Sequence, residues 1–182
     1  MNEYIKIRPA QPDDADVASV LLHSAYNHRQ VTYPLPEEHE NRFIERLQHF
    51  FREDGNRFSY QHIQVAEHHS GVVGLVLSFG GRDEGRLNAA IGWQLEREAE
   101  DDEWYVDALA VLTNWGRKGI GTRLLQTAEQ QARQHLYAKI ALNVAQENVQ
   151  AFSLYQRLNY VVTQKTLLYQ RPYMRMIKTL EN

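Results

Sequence analysis

The chain contains no cysteine, and it is poor in glycine and proline. Its 182 residues include 10 Gly and 5 Pro. The lack of Cys excludes a disulfide framework, a thiolate nucleophile, an iron–sulfur cluster and a Cys-ligated zinc. The low glycine and proline content excludes collagen-like and low-complexity chains. A globular domain remains, because a chain of this length buries roughly 70% of its unfolded surface without cross-links.

A large excess of charge of one sign is also missing. Twenty basic residues stand against 23 acidic ones, which gives a net charge of −3. A nucleic-acid binder usually carries a strongly basic footprint, so no nucleic-acid partner is predicted. The eight His residues show no metal-binding spacing, so no metal is predicted.

Long apolar runs are absent as well. No run of apolar residues approaches 18, so we expect no membrane-spanning segment. The first residues, Met1–Lys6, lack the apolar stretch of a signal peptide. The expected location is therefore cytoplasmic.

Apolar patterning predicts one α/β domain over residues 1–182. Strands are expected near residues 5–7, 63–65, 72–79, 104–111, 139–144, 161–169 and 173–180. Helices are expected in a pair between residues 15 and 51, with a break at 33–36, and over 120–132 and 149–158. The polar segment 82–103 contains one further helix signal, at 89–91. The strand–helix alternation of the second half predicts a mixed sheet, with the last two strands antiparallel.

A glycine-containing loop, Gly116–Thr122, follows an apolar strand and opens an amphipathic helix. Glycine permits close approach of the backbone, and the unpaired N–H groups of a first helical turn form an anion site suited to phosphate. Arg117 and Lys118 add positive charge. The alternative interpretation is a tight turn with a solvated basic pair. The spacing matches neither a P-loop nor a dinucleotide-binding turn, which disfavours a nucleotide-binding protein.

Two motifs resemble those of the GNAT N-acetyltransferase superfamily. Gly119-Ile120-Gly121 is similar to the second half of its acetyl-CoA motif, Arg/Gln-x-x-Gly-x-Gly/Ala. The segment from Asn148 to Tyr160 resembles the family's Asn-x-x-Ala-x-x-Leu-Tyr-x-x-x-Gly-Phe pattern. The resemblance implies an α/β, GNAT-like fold. This fold has a central mixed, mostly antiparallel twisted sheet of six to seven strands, flanked by about four helices.

The chain departs from the family pattern at two places. Gly116 stands where the family has Arg or Gln, and Arg117 is one place later. Asn159-Tyr160 replaces the family's Gly-Phe. Asn tolerates the left-handed conformation, so we expect the helix to end there as it does with glycine.

The resemblance implies direct transfer of an acetyl group from acetyl-CoA to a primary amine of a small molecule or peptide. Tyr155 would be the acid, and Asp107 or a water chain would be the base, with Tyr105 and Glu103 as reserves. Asp107 is proposed because it is a lone carboxylate in the apolar run 104–111, which is expected to be a buried strand, although a buried ion pair would explain it equally well. The implied acetyl-CoA contacts, with Tyr155 among them, are Leu109, Ala110, Val111, Gly116, Arg117, Lys118, Gly119, Ile120, Gly121, Thr122 and Asn148.

Alternatives stay open at this point. Tyr155 could be a core aromatic, and the departure at Gly116 favours a non-catalytic CoA-binding or sensor domain that kept the fold. Six of the eight residues from 96 to 103 are acidic, which is typical of a solvated loop but could also attract a cationic amine. The resemblance is compatible with a homodimer. It leaves the identity of the acceptor unspecified.

Overall fold

The computed structural model describes residues 4–27 and 42–181, so the predicted break at 33–36 lies outside the described residues. Seven strands form one sheet with the order β1-β2-β3-β4-β5-β7-β6. The strands are β1 (Lys6–Pro9), β2 (Ile63–His68), β3 (Gly71–Gly80), β4 (Trp104–Val111), β5 (Lys139–Ala145), β6 (Val161–Leu168) and β7 (Arg171–Thr179).

Five α-helices are present in the described part of the chain. They are α1 (Ala15–Asn27), α2 (Arg42–Arg52), α3 (Glu84–Ile91), α4 (Ile120–Gln134) and α5 (Val149–Arg157). The predicted mixed sheet is confirmed, because β4 pairs with β5 in parallel while β1–β2, β2–β3, β5–β7 and β6–β7 pair antiparallel. None of the helices in residues 4–27 and 42–181 combines the length and the apolar composition needed to cross a bilayer.

The chain forms two compact units, and β3 and β4 each contribute residues to both. The first unit contains Met1–Leu77 and Ala108–Thr127. In it α1 packs against α2, because Leu21, Leu47 and Phe51 are fully buried along their apolar faces. At Gly74 the neighbouring strand passes so close that a Cβ would lie 3.0 Å from the backbone oxygen of Ala110.

The second unit contains Ser78–Asp107 and Ala128–Asn182. Its sheet portion joins β5 to β7 and β7 to β6, with a register shift between Val162 and Gln164. Strand β6 is mostly exposed, including the apolar side chains of Val161 and Leu167. At Gly81 a Cβ would overlap the backbone oxygen of Glu100, so glycine is required where β3 leaves the sheet.

Three buried carboxylates of the second unit have hydrogen-bond or ion-pair partners. Glu103 is 0% exposed and receives hydrogen bonds on both carboxylate oxygens from Arg175, at 2.6 Å to Oε2. Glu84 is 1% exposed and accepts the backbone N–H groups of Glu98 and Ala99. Glu129 accepts from Lys178 and from the Tyr160 hydroxyl. These carboxylates keep partners because an unpaired buried charge is costly.

Candidate functional site

The glycine loop of the first unit joins β4 to α4. A short 3-10 turn, Thr113–Trp115, ends when the Gly116 N–H donates to the Thr113 oxygen at 3.1 Å. Helix α4 then begins at Ile120, and the Arg123 N–H donates to the Gly119 oxygen at 3.1 Å. The N–H groups of the helix's first turn precede this bond and have no acceptor within the helix. The loop therefore presents backbone donors at a helix N-terminus, as the sequence predicted.

Two residues of the loop adopt the left-handed conformation. Gly119 has a φ of 76°, which glycine adopts without strain, whereas Arg117 has a φ of 60°. The backbone at Arg117 is therefore strained by roughly 1–2 kcal/mol. Strain of this kind is frequently found at binding sites, where the surrounding structure holds it.

The two basic side chains of the loop differ in their surroundings. The Lys118 ammonium lies 4.6 Å from the centroid of the Trp115 ring, a cation–π distance. The Arg117 side chain is exposed, and it makes no ion pair or hydrogen bond within the described part of the chain. Arg117 is therefore the loop side chain that can turn toward an anion without breaking an existing contact.

Strand β4 carries the predicted base and the predicted backbone contacts. Its register with β5 consists of three pairs, the last of which joins Val106 to Leu142. Beyond Val106, Asp107, Leu109 and Val111 are partly exposed and alternate with buried Ala108 and Ala110. The expectation that Asp107 lies in a fully buried run is wrong, because the second half of β4 is buried on one face only. Its role as a base stays a prediction.

Tyr155 lies in α5 of the second unit, and Asn148 directly precedes that helix. The Asn148 side chain caps the helix by accepting the Ala151 N–H at 3.2 Å. Tyr155 is 8% exposed, and its ring lies 5.9 Å from that of Tyr160. Burial raises the pKa of the Tyr155 hydroxyl to about 12. The phenol therefore stays protonated at neutral pH, as a proton donor must.

The helix end after Tyr155 confirms another expectation. Asn159 has a φ of 67°, so it ends α5 in the left-handed conformation. The Tyr160 N–H donates back to the Tyr155 oxygen at 3.0 Å, which closes the helix end. Asn thus serves here where the resembling pattern has glycine.

One polar cluster of the second unit was not predicted from the sequence. The Tyr105 hydroxyl donates to Glu98 Oε2 at 2.7 Å, and the Tyr169 hydroxyl donates to Glu98 Oε1 at 3.2 Å. Asn143 Nδ2 donates to the Tyr105 hydroxyl at 3.0 Å. The acidic composition of residues 96–103 was the available signal, but it does not single out Glu98. The contact with Tyr169 spans 71 residues.

The two reserve bases, Glu103 and Tyr105, both have hydrogen-bond partners in the structure. Glu103 is engaged by Arg175, and its Oε1 also accepts the Glu100 N–H at 2.9 Å. The single proton of the Tyr105 hydroxyl is donated to Glu98. The roles of Glu103 and Tyr105 as reserve bases stay predictions.

Comparison with known proteins gives a family and several similar structures. The family model described as "Acetyltransferase (GNAT) family" matches residues 22–160. An N-acetyltransferase from Staphylococcus aureus Mu50 is 25% identical with a TM-score of 0.77, covering 95% of this chain and 100% of its own. A second acetyltransferase structure is 24% identical with a TM-score of 0.78, covering 97% and 100%.

More distant structures share the fold. A PaiA N-acetyltransferase from Thermoplasma acidophilum, solved in complex with coenzyme A, is 17% identical with a TM-score of 0.59, and the match covers 97% of this chain and 99% of that one. No curated protein matches the chain by sequence. At 17% identity, the similarity to the PaiA structure shows a shared fold.

Proposed function

Because the chain belongs to the GNAT acetyltransferase family, we propose that it moves an acetyl group from acetyl-CoA directly to a primary amine of a small molecule or peptide. The observation that carries the proposal is the loop Gly116–Thr122. It supplies backbone N–H donors at the start of α4 and an exposed, uncommitted Arg117. That combination fits the pyrophosphate of a CoA thioester. The absence of Cys leaves direct transfer as the simplest route, since no acetyl-cysteine can form.

Backbone groups of β4 are proposed to hold the pantetheine arm. The three-pair register with β5 ends at Val106, while β4 continues to Val111. The stretch Leu109, Ala110 and Val111 can therefore offer alternate N–H and C=O groups, those that do not face β3, to an extended ligand segment, as in strand addition. One of these N–H groups would donate to the thioester oxygen as negative charge develops there.

Two side chains are proposed for the proton transfers. Asp107 accepts a proton from the amine as its nitrogen attacks the thioester carbon. The C–S bond then breaks, and the Tyr155 hydroxyl donates its proton to the departing sulfur. The Tyr155 pKa of about 12 keeps this proton on the hydroxyl at neutral pH.

Titration calorimetry with acetyl-CoA tests the cofactor assignment. Replacing Arg117 by Ala should weaken acetyl-CoA binding about tenfold, because a charge-assisted contact to pyrophosphate is lost. The loss should shrink as salt is raised, since salt screens an exposed charge. Arg157→Ala is the matched control, because Arg157 is also exposed and lies in α5. Equal affinities of both variants and wild type would reject Arg117 as a contact to the pyrophosphate. The absence of saturable acetyl-CoA binding to the wild type would reject the loop as the pyrophosphate site.

The proposed base is tested by kinetics across pH. Asp107→Asn should lower kcat about 100-fold and flatten the rise in rate with increasing pH, because the amide accepts no proton. Asp13→Asn is the control, since Asp13 is exposed and lies in the 3-10 turn before α1. A variant with the wild-type pH profile would assign proton removal to another group, such as water.

The second candidate function is a non-catalytic CoA-binding or sensor domain. Gly116, at the position where the motif has Arg or Gln, favours it. Release of free CoA during an amine screen separates the two. Binding of acetyl-CoA without amine-dependent release of CoA would support the sensor.

A further inference from the structure

Glu98 occupies an irregular segment, residues 92–103, that links α3 to β4. Such a segment has few backbone hydrogen bonds of its own, so its course depends on side chains. Here three largely buried charged residues supply the partners. Glu84 accepts the Glu98 and Ala99 N–H groups, Glu103 accepts the Glu100 N–H, and Arg175 donates to the Glu98 oxygen at 3.0 Å. The main chain of Glu98 is thus fixed on both its N–H and its C=O.

The side chain of Glu98 is fixed as well. An ionised carboxylate can only accept, so the Tyr105 proton points to Glu98. Asn143 then turns its NH₂ toward the Tyr105 oxygen, as its 3.0 Å contact shows. Tyr169 donates to the other carboxylate oxygen. Hydrogen bonds to a charged acceptor are about twice as strong as neutral ones. The carboxylate is therefore held in one orientation from both sides.

The turn that supplies Tyr169 is strained. Tyr169 has a φ of 51° and Gln170 a φ of 62°, in the two-residue turn between β6 and β7. Both central residues of such a turn favour Asn or Gly. The chain instead places a tyrosine there, and its hydroxyl meets Glu98. Strained backbone that presents a specific side chain is a feature of functional sites.

Tyr105 and Asp107 lie on the same face of β4, because side chains two residues apart on a strand point the same way. They are separated by roughly 7 Å along the strand. Tyr105 is itself buried, whereas Glu98 and Asp107 are partly exposed. An acceptor whose reacting amine is at Asp107 can therefore place another part of its structure near Glu98.

We propose that Glu98 binds a second, non-reacting cationic group of the acceptor, so that the preferred substrates are diamines or other amines carrying an additional positive charge. This inference rests on the proposed acetyl transfer and specifies its substrate class. Glu98 is the binding residue, and Tyr105 and Tyr169 are positioning residues that act through it.

Three five-carbon amines test the inference: 1,5-diaminopentane, pentylamine and 5-aminopentanoate. At saturating acetyl-CoA, kcat/KM should be highest for the diamine, about tenfold above pentylamine, and lowest for the amino acid. Glu98→Gln should reduce the advantage of the diamine over pentylamine to about threefold or less. Glu100→Gln, an exposed charge removal two residues away, should keep the wild-type preference.

Tyr169→Phe provides a second variant, because it keeps the ring and removes one donor to Glu98. It should lower the preference for the diamine by about threefold and leave acetyl-CoA affinity unchanged. Equal kcat/KM for the three amines, or a full preference in Glu98→Gln, would overturn the inference.

Calorimetry distinguishes a failure of the Glu98 inference from a failure of the proposed acetyl transfer. If no amine is acetylated, 1,5-diaminopentane is titrated into the protein directly. Binding that is lost in Glu98→Gln and kept in Glu100→Gln supports the site even without turnover. No binding to the wild type, or equal binding to all three proteins, overturns it.

Discussion

Glu103→Gln should destabilise the protein by about 3–5 kcal/mol. The carboxylate is 0% exposed and receives Arg175 on both oxygens, so the neutral amide leaves a guanidinium without its counter-charge in a largely buried place. Marginal stabilities of about 5–15 kcal/mol make this a large fraction of the total. Urea denaturation of the purified variant measures the change directly from the midpoint and slope of the transition.

Two further variants accompany this prediction. One is a control, and the other tests whether the unpaired charge causes the loss of stability. Glu100→Gln removes the same charge from an exposed position, so its free energy of unfolding should change by less than about 0.5 kcal/mol. The double variant Glu103→Met with Arg175→Met should recover part of the lost stability, because no unpaired charge remains while the Glu98 oxygen and the Glu100 N–H lose their partners. A loss below about 1 kcal/mol in Glu103→Gln would show that water or rearrangement compensates the guanidinium.

Tyr155→Phe should lower kcat about 100-fold while acetyl-CoA affinity and stability stay near wild type. The ring that packs against Tyr160 is retained, and the Tyr155 hydroxyl makes no hydrogen bond within the described part of the chain. The only group removed is therefore the proposed proton donor. Single-turnover kinetics with a reactive primary amine, together with calorimetry of acetyl-CoA, measure both quantities.

Tyr160→Phe is the matched control, since the two tyrosines are neighbours and lose the same atom. The Tyr160 hydroxyl donates to Glu129 at 3.2 Å, so its removal should cost about 1–2 kcal/mol of stability with kcat retained. The two variants should thus show opposite patterns, one in rate and one in stability. A wild-type kcat in Tyr155→Phe would remove Tyr155 from the mechanism.

Features that depend on local pattern were predicted well from the sequence. The apolar run 104–111 is strand β4, and the predicted end of α5 at Asn159 has the expected left-handed φ. The loop Gly116–Thr122 opens a helix as its composition indicated. These features follow from periodicity and glycine or asparagine chemistry, both of which can be read within a few residues.

Features that depend on distant partners were not predicted. Glu103 and Arg175 are 72 residues apart, so the acidic run gave no sign that one member is buried and paired. The turn at Tyr169-Gln170 contains neither Asn nor Gly and thus carries no turn signal. Asp107 was expected to be buried because its neighbours in the sequence are apolar. Whether one face of β4 is covered depends on which elements pack on that face, and the residues of β4 do not show this.

Strand β6 has a consequence for how copies of this chain meet. It ends the strand order, so among residues 4–27 and 42–181 it pairs with β7 alone, and an open strand edge can recruit another chain. Two devices oppose such recruitment. The register shift after Val162 interrupts a regular ladder, and Lys165 places a charge at mid-strand. Antiparallel pairing of two β6 strands centred on Lys165 would set like charges opposite each other. The edge therefore discourages growth into extended sheets through regular pairing of β6 strands.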